Sequence, residues 1–449
     1  LQLGCAAVPA LNAQAAAQFA YFFGRLAARP LCTICLLAWR DFAVKQANAL
    51  LEQTGTTIFT IMSALAVQHG AINLGQGFPD TEGPEDVVRA AADALLDQRN
   101  QYPPLTGVPE LRAAVAAANA RFYGLEIDPA AGVLVTSGAT EAITASLMAL
   151  INPGDEVILI EPLYDTYLPV VKMLGATPVL VRLNPPDWAL PRAALAAAFS
   201  PRTKLLLLNS PMNPNGKVFS REELGFIADL LIRHDAYAVC DEVYEHLVFE
   251  GAAHIPLMTL PGMAERSLRI GSAGKTFALT GWKVGYVSGC RALITLAAKA
   301  HQNLTFTTAP NLQRAVAVGL AKPDAYFAGL AAALQERRDI LDAGLRALGF
   351  ETLPSDGSYF ITAGYTKLGF AGDDLAFCRA ITEQAGVAAI PVSAFYAADP
   401  PRGFVRFAFC KQPAVLREAL ARLERWLAQS AERRRAQSAI APETLTAAG

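Results

Sequence analysis

The sequence has no unbroken apolar run of the roughly twenty residues that a membrane-spanning helix needs, so nothing in it reads as a transmembrane segment. Neither charge is in excess. Lys and Arg number 38 against 40 Asp and Glu, which leaves no basic footprint for nucleic acid and no polybasic membrane patch. Cysteine is sparse: seven, an odd count, scattered over 449 residues. That is no disulfide framework and fits a reducing, cytoplasmic setting. Cys32 and Cys35 form a C-x-x-C, but no second pair or histidine stands at ligand spacing, so no metal site is assigned. No internal repeat is present. A small-molecule substrate is what these absences leave.

The first forty residues contain no Asp, Glu or Ser and carry Arg25, Arg29 and Arg40 among alanines and aromatics. A targeting segment, an extra helix and translated upstream sequence compete as readings. A transit peptide should be rich in serine, so residues 1–50 are expected to be a dispensable extension. They show no basic helix-turn-helix, which argues against a DNA-binding regulator.

At this length two packed domains are expected. Helical periodicity marks residues 86–96 and 109–123. Short β-rich runs follow at 132–136, 156–160, 204–209, 236–240 and 267–272, with helices between them. Such alternation implies an α/β domain with a mainly parallel sheet, covered on both faces, whose ligands bind beyond the carboxyl ends of the strands. After about residue 323 the pattern changes to long helices and a few strands, at 359–361 and 403–409, as in a smaller α+β domain. The expected division is 96–323 for the large domain and 51–95 with 324–428 for the small one, with 429–449 as a loose tail.

Each run ends in polar or glycine-rich residues, and the chemistry is to be sought there. Ser272-Ala273-Gly274-Lys275-Thr276 fails as a P-loop, because Arg269 stands where the first glycine belongs. It also fails as a penicillin-binding signature, because no K-T-G exists and Ser355-Asp356-Gly357 only approaches S-D-N. Asn73-Leu74-Gly75-Gln76-Gly77-Phe78-Pro79-Asp80 lacks the third glycine and the βαβ setting of a dinucleotide fingerprint. The helix opening at Ser137-Gly138-Ala139-Thr140 offers exposed amides and small residues, which suits a phosphate.

With Thr280-Gly281-Trp282-Lys283-Val284-Gly285-Tyr286 after it, the Lys275 segment resembles the cofactor-lysine segment of class I aminotransferases. Asn213-Pro214-Asn215-Gly216 and Asp241-Glu242-Val243-Tyr244 resemble two further family segments, in the right order. The resemblance spans about residues 56–428. It is similar in particular to the kynurenine, glutamine and methionine aminotransferases and to the succinyl-diaminopimelate group. It implies the fold-type-I architecture, with a seven-stranded-type sheet, a pyridoxal 5′-phosphate cofactor and a homodimer with shared active sites.

Residue by residue, the resemblance makes Lys275 the covalent cofactor lysine. Asp241 becomes the partner of the ring nitrogen, and Tyr244 and Asn213 the neighbours of the ring's phenolic oxygen. The amides of Ala139 and Thr140, with Ser272 and Lys283, become the phosphate cradle. Tyr164 covers the ring and Tyr102 reaches the neighbouring subunit's phosphate. Gly77 and Arg406, the latter a planar fork suited to a carboxylate, bind the substrate. Lys283 stands where aspartate-type members have arginine, which keeps the charge but loses the bidentate fork.

The implied activity is ping-pong transfer of an amino group from an amino acid to a 2-oxo acid. β-Elimination on cysteine conjugates is an alternative for the same cofactor site. No motif supplies a second arginine for a side-chain carboxylate. Ile58, Phe59, Gln101 and Tyr102 are expected instead to favour a neutral or aromatic side chain such as that of methionine, glutamine or kynurenine, with succinyl-diaminopimelate as the alternative substrate.

Overall fold

Runs such as Leu205-Leu206-Leu207-Leu208 and Val157-Ile158-Leu159-Ile160 are apolar on both faces, as strands buried between helix layers must be. In the computed structural model, which describes Lys45, residues 47–52 and 55–440, with side chains as far as Arg433, these runs form the centre of the molecule. The Cys32–Cys35 pair and most of the N-terminal extension lie outside the described residues. In the short helix Ala49–Glu52, the Asn48 side chain accepts from the amides of Leu50 and Leu51.

From Thr56 onward the described residues pack as one compact unit. Its strands in chain order are β1 (Ile72–Asn73), β2 (Val133–Thr136), β3 (Glu156–Glu161), β4 (Thr177–Arg182), β5 (Thr203–Asn209), β6 (Tyr237–Asp241), β7 (Ser267–Ser272) and β8 (Gly285–Gly289). Then follow β9 (Glu351–Thr352), β10 (Phe360–Gly364), β11 (Val387–Ala388), β12 (Ile390–Pro391) and β13 (Phe404–Ala408). Seven strands make the large sheet in the order β2-β8-β7-β6-β5-β3-β4. Only β8 runs against its neighbours. A four-stranded antiparallel sheet, β12-β13-β10-β9, is built from the C-terminal third, and β1 pairs with β11.

Three places differ from the sequence reading. Strand β8 sits inside the segment taken as motif, because its glycines hide its strand character. They are there for close approach: a Cβ on Gly285 would stand 2.6 Å from the Gly138 carbonyl carbon, and one on Gly271 would stand 2.1 Å from the Tyr286 ring. Helix Glu85–Asp97, assigned to the small domain, instead buries Val87 and Ala91 among Val108, Leu111, Val135 and Ala315, and packs on helix Pro310–Leu320. The tail is not loose from residue 429, since helix Pro413–Ile440 continues through it. Among the described residues no helix is long and apolar enough to cross a membrane.

Candidate active site

The carboxyl ends of β2, β5, β6 and β7 deliver Ser137, Asn209, Asp241 and Ser272 to one side of the sheet. The four-stranded sheet contributes Phe360 from β10 and Arg406 from β13. Between them lies a cavity of about 460 Å³. Lys275, Asp241, Tyr244, Asn213, Tyr164, Ala139, Thr140, Ser272, Lys283, Gly77 and Arg406 all line it. Eleven of the twelve residues singled out in the sequence therefore meet in one place.

The twelfth, Tyr102, does not. It is 81 % exposed, with its ring edge-on to Phe306 at 5.3 Å. Of the residues expected to shape a neutral pocket, Phe59 lines the cavity, while Ile58 and Gln101 do not.

At the floor, burial pushes the Asp241 carboxyl up to about 6, against the opposing pull of a hydrogen bond from Tyr167 Oη to Oδ2. Tyr167 was missed in the sequence because nothing in E-P-L-Y-D-T-Y distinguishes its second tyrosine from core. Burial also brings Lys275 down to about 8, against the upward pulls of Cys410 and Asp241. An amine tuned this way holds a useful neutral fraction near neutral pH. Its Nζ sits 5.7 Å from the Tyr244 ring centre and 5.8 Å from that of Tyr359. Burial raises the Tyr244 phenol well above its ordinary range.

A second group of side chains fixes the far wall. Asn209 donates through Nδ2 to the Asp241 carbonyl at 2.9 Å and accepts the Asn213 amide at 2.8 Å. Asn213 Oδ1 in turn accepts from Arg406 Nη1 at 2.8 Å, and Arg406 Nη2 donates to the Gly75 carbonyl. Arg406 is fully buried, stacked 3.9 Å from the Phe360 ring centre, and its Nε has no partner. It makes no ion pair among the described residues, and burial lowers it to about 10. An unneutralised guanidinium is costly in such surroundings. A carboxylate ligand would remove that cost. Gly77 stands beside it, its carbonyl accepting from Tyr359 Oη at 2.6 Å.

The opposite wall suits a phosphate. Helix Gly138–Leu150 opens there with no side-chain cap on its first amides, so they face the cavity as donors at the positive end of the helix. Gly138 adopts φ +80°, and a Cβ on it would stand 3.3 Å from Lys283 Nζ. The lysine thus overhangs the turn. The Ser272 hydroxyl lies on the same lining. Tyr164 stands half-buried, its ring 5.6 Å from that of Tyr167.

An uncapped helix start with a cation over it, a buried carboxylate, a lysine shifted toward neutrality and an unpaired arginine make a consistent donor set. They fit a phosphorylated aromatic ring with a basic nitrogen, together with an amino-acid carboxylate.

Comparison with known proteins gives a family match. Residues 69–423 match the family described as aminotransferase class I and II. The chain is 47% identical over 386 residues to a probable N-succinyldiaminopimelate aminotransferase of Mycobacterium tuberculosis, covering 83% of this chain and 96% of that one. It is 40% identical over 374 residues to a methionine aminotransferase of Escherichia coli, with the same two coverages of 83% and 96%. The solved structure of the N-succinyldiaminopimelate aminotransferase of Mycobacterium tuberculosis superposes with TM-score 0.82 at 47% identity, over 85% of this chain and 100% of that one.

Proposed function

The chain belongs to the class I and II aminotransferases, and we propose that it uses pyridoxal 5′-phosphate to transfer an amino group from a neutral L-amino acid to a 2-oxo acid. Its fold is that of the fold-type-I aminotransferases. The observation that carries the cofactor reading is the convergence of Lys275, Asp241 and Arg406 on one cavity that also holds an uncapped helix start. When bound, pyridoxal phosphate supplies the carbonyl that takes up the amino group and the ring that withdraws electrons from the substrate's Cα.

The protein's own residues do the rest. Lys275 would hold the cofactor, and its amine is the group that would move a proton at the substrate Cα. Its neutral fraction is what makes that transfer possible. Asp241, anionic above about 6 and steadied by the Tyr167 hydroxyl, would hold the cofactor's basic nitrogen in its protonated form. Lys283, Ser272 and the amides of Ala139 and Thr140 hold the phosphate. Arg406 would orient the substrate carboxylate, and Tyr164 would pack on the cofactor. Tyr102 is exposed and lines no part of its own cavity, which supports a homodimer in which it serves the partner's site.

The substrate class follows from the lining. Its cations are Lys275, Lys283 and Arg406, each already assigned, and its remaining acid is Asp165. No lining cation is left to neutralise a side-chain carboxylate, while Phe59, Phe78 and Phe360 offer apolar surface. Methionine, glutamine, phenylalanine or kynurenine are therefore the expected donors. The second reading is an N-succinylated diaminopimelate, favoured by the 47% identical relative. It would need a cation from outside this lining for its distal carboxylates. Measuring kcat/KM for methionine, kynurenine, aspartate and succinyl-diaminopimelate separates the two. A tenfold advantage for either acidic substrate would overturn the neutral-pocket reading.

A further inference from the structure

Directly beneath the phosphate-binding turn lies a buried pair that the reaction does not use. Glu141, on the first turn of helix Gly138–Leu150, accepts the Ser137 amide through Oε2 at 2.6 Å. Its other oxygen, Oε1, meets Nδ1 of His301 at 2.6 Å. His301 is fully buried on helix Arg291–Leu304, and its Nε2 meets the Leu105 carbonyl at 3.1 Å. Leu105 lies three residues after Tyr102, in the turn that follows it. Ser137 is held a second time, through its hydroxyl, by Thr308 Oγ1 at 3.1 Å.

The hydrogens can be counted. A carbonyl only accepts, so His301 Nε2 carries a hydrogen. Oε2 already takes the Ser137 amide. The contact between Nδ1 and Oε1 then needs one further proton, as imidazolium with carboxylate or as imidazole with carboxylic acid. Both forms are neutral as a unit. This matters, because an unbalanced anion one turn below the cradle would oppose a phosphate at the helix start.

We propose that Glu141 and His301 are positioning residues for the cofactor phosphate. Together they fix the amide of Ser137, and with it the left-handed Gly138, and tie that turn to the one following Tyr102. The proposal rests on the cofactor reading above. It explains why a glutamate and a histidine, rather than apolar residues, occupy a buried space between two helices. The bonds from Glu141 to Ser137 and from His301 to Leu105 hold the cradle in shape before the phosphate arrives, so that little ordering is left to be done on binding.

The test is the affinity of the apoenzyme for pyridoxal phosphate, followed by fluorescence, and for inorganic phosphate, with thermal unfolding of the apoenzyme as the folding control. Glu141→Ala should weaken both affinities tenfold or more. Glu141→Gln can still accept from Ser137 and donate to a neutral His301, and it should recover to within threefold of the wild type. His301→Gln, which cannot reach both partners, should weaken cofactor binding at least threefold and gives an answer if Glu141→Ala does not fold. Affinities within twofold of wild type in Glu141→Ala or His301→Gln would overturn the proposal, as would Glu141→Gln binding as weakly as Glu141→Ala. If the wild-type apoenzyme does not take up the cofactor at all, it is the proposed function that fails.

Discussion

Replacing Arg406 by methionine separates its role in binding from its role in the fold. The guanidinium is fully buried, with its cation unpaired and its Nε without a partner. Burial has brought it well down from its ordinary value, to about 10, and at ~1.4 kcal/mol per pKa unit the charge costs the folded apoenzyme roughly 3 kcal/mol. The sign follows: a base whose folded pKa lies below its unfolded one destabilises the fold at every pH below the folded value. Methionine removes that cost and keeps apolar volume against Phe59, Phe360 and Phe395. Against this, Asn213 Oδ1 and the Gly75 carbonyl lose their donors, at roughly 1–3 kcal/mol each. The two effects largely offset, so apoenzyme stability in denaturant should stay within about 3 kcal/mol of wild type.

Binding should not cancel. A carboxylate loses a charge-assisted pair worth roughly 1.5–3 kcal/mol, which raises KM for amino and oxo acids alike by about 10- to 150-fold. Because Arg406 also presses Lys275 downward, the lysine should titrate above about 8 in the variant. Steady-state kinetics with both substrates and denaturant unfolding of the apoenzyme decide the matter. An unchanged KM, or a KM change that follows a large loss of stability, would refute the reasoning.

Lys275→Ala should abolish transamination while leaving the apoenzyme folded, and borohydride treatment followed by mass spectrometry should find no cofactor fixed to the chain. An adduct on another lysine would displace the assignment. Tyr167→Phe removes the hydrogen bond that holds Asp241 down, so the acid limb of the kcat/KM profile should move up by about one unit. A limb that stays in place would mean another group sets it. Gly138→Ala forces a side chain into a left-handed backbone position and against Lys283, a strain of roughly 1–2 kcal/mol. Cofactor affinity measured on the apoenzyme should fall several-fold, and undiminished affinity would show that the phosphate does not use this turn.

The local chemistry was legible in the chain because it is carried by short contiguous segments with few physical alternatives. Lys275 follows a strand on a tight turn, Asp241 ends an apolar strand, and Ser137-Gly138-Ala139-Thr140 opens a helix. Each segment constrains its own backbone, and the family resemblance those segments carry is what implied roles for twelve residues, eleven of which line one cavity. The parallel sheet was readable for the same reason, since strands buried on both faces cannot hide their apolar runs.

What the tertiary structure decided are relations between segments far apart in sequence. Strand β8 escaped because its glycines serve contacts with Gly138 and Tyr286 rather than strand propensity. Helix Glu85–Asp97 packs on helix Pro310–Leu320, a contact that its apolar stripe alone does not specify. Tyr167 looked like core until its hydroxyl met Asp241, 74 residues away. The 160 residues between Glu141 and His301 separate two side chains that are ordinary in sequence. Their pairing is decided by the tertiary contact between them, since burial makes an unpaired charge costly and leaves the sequence no local trace of which partner will compensate it.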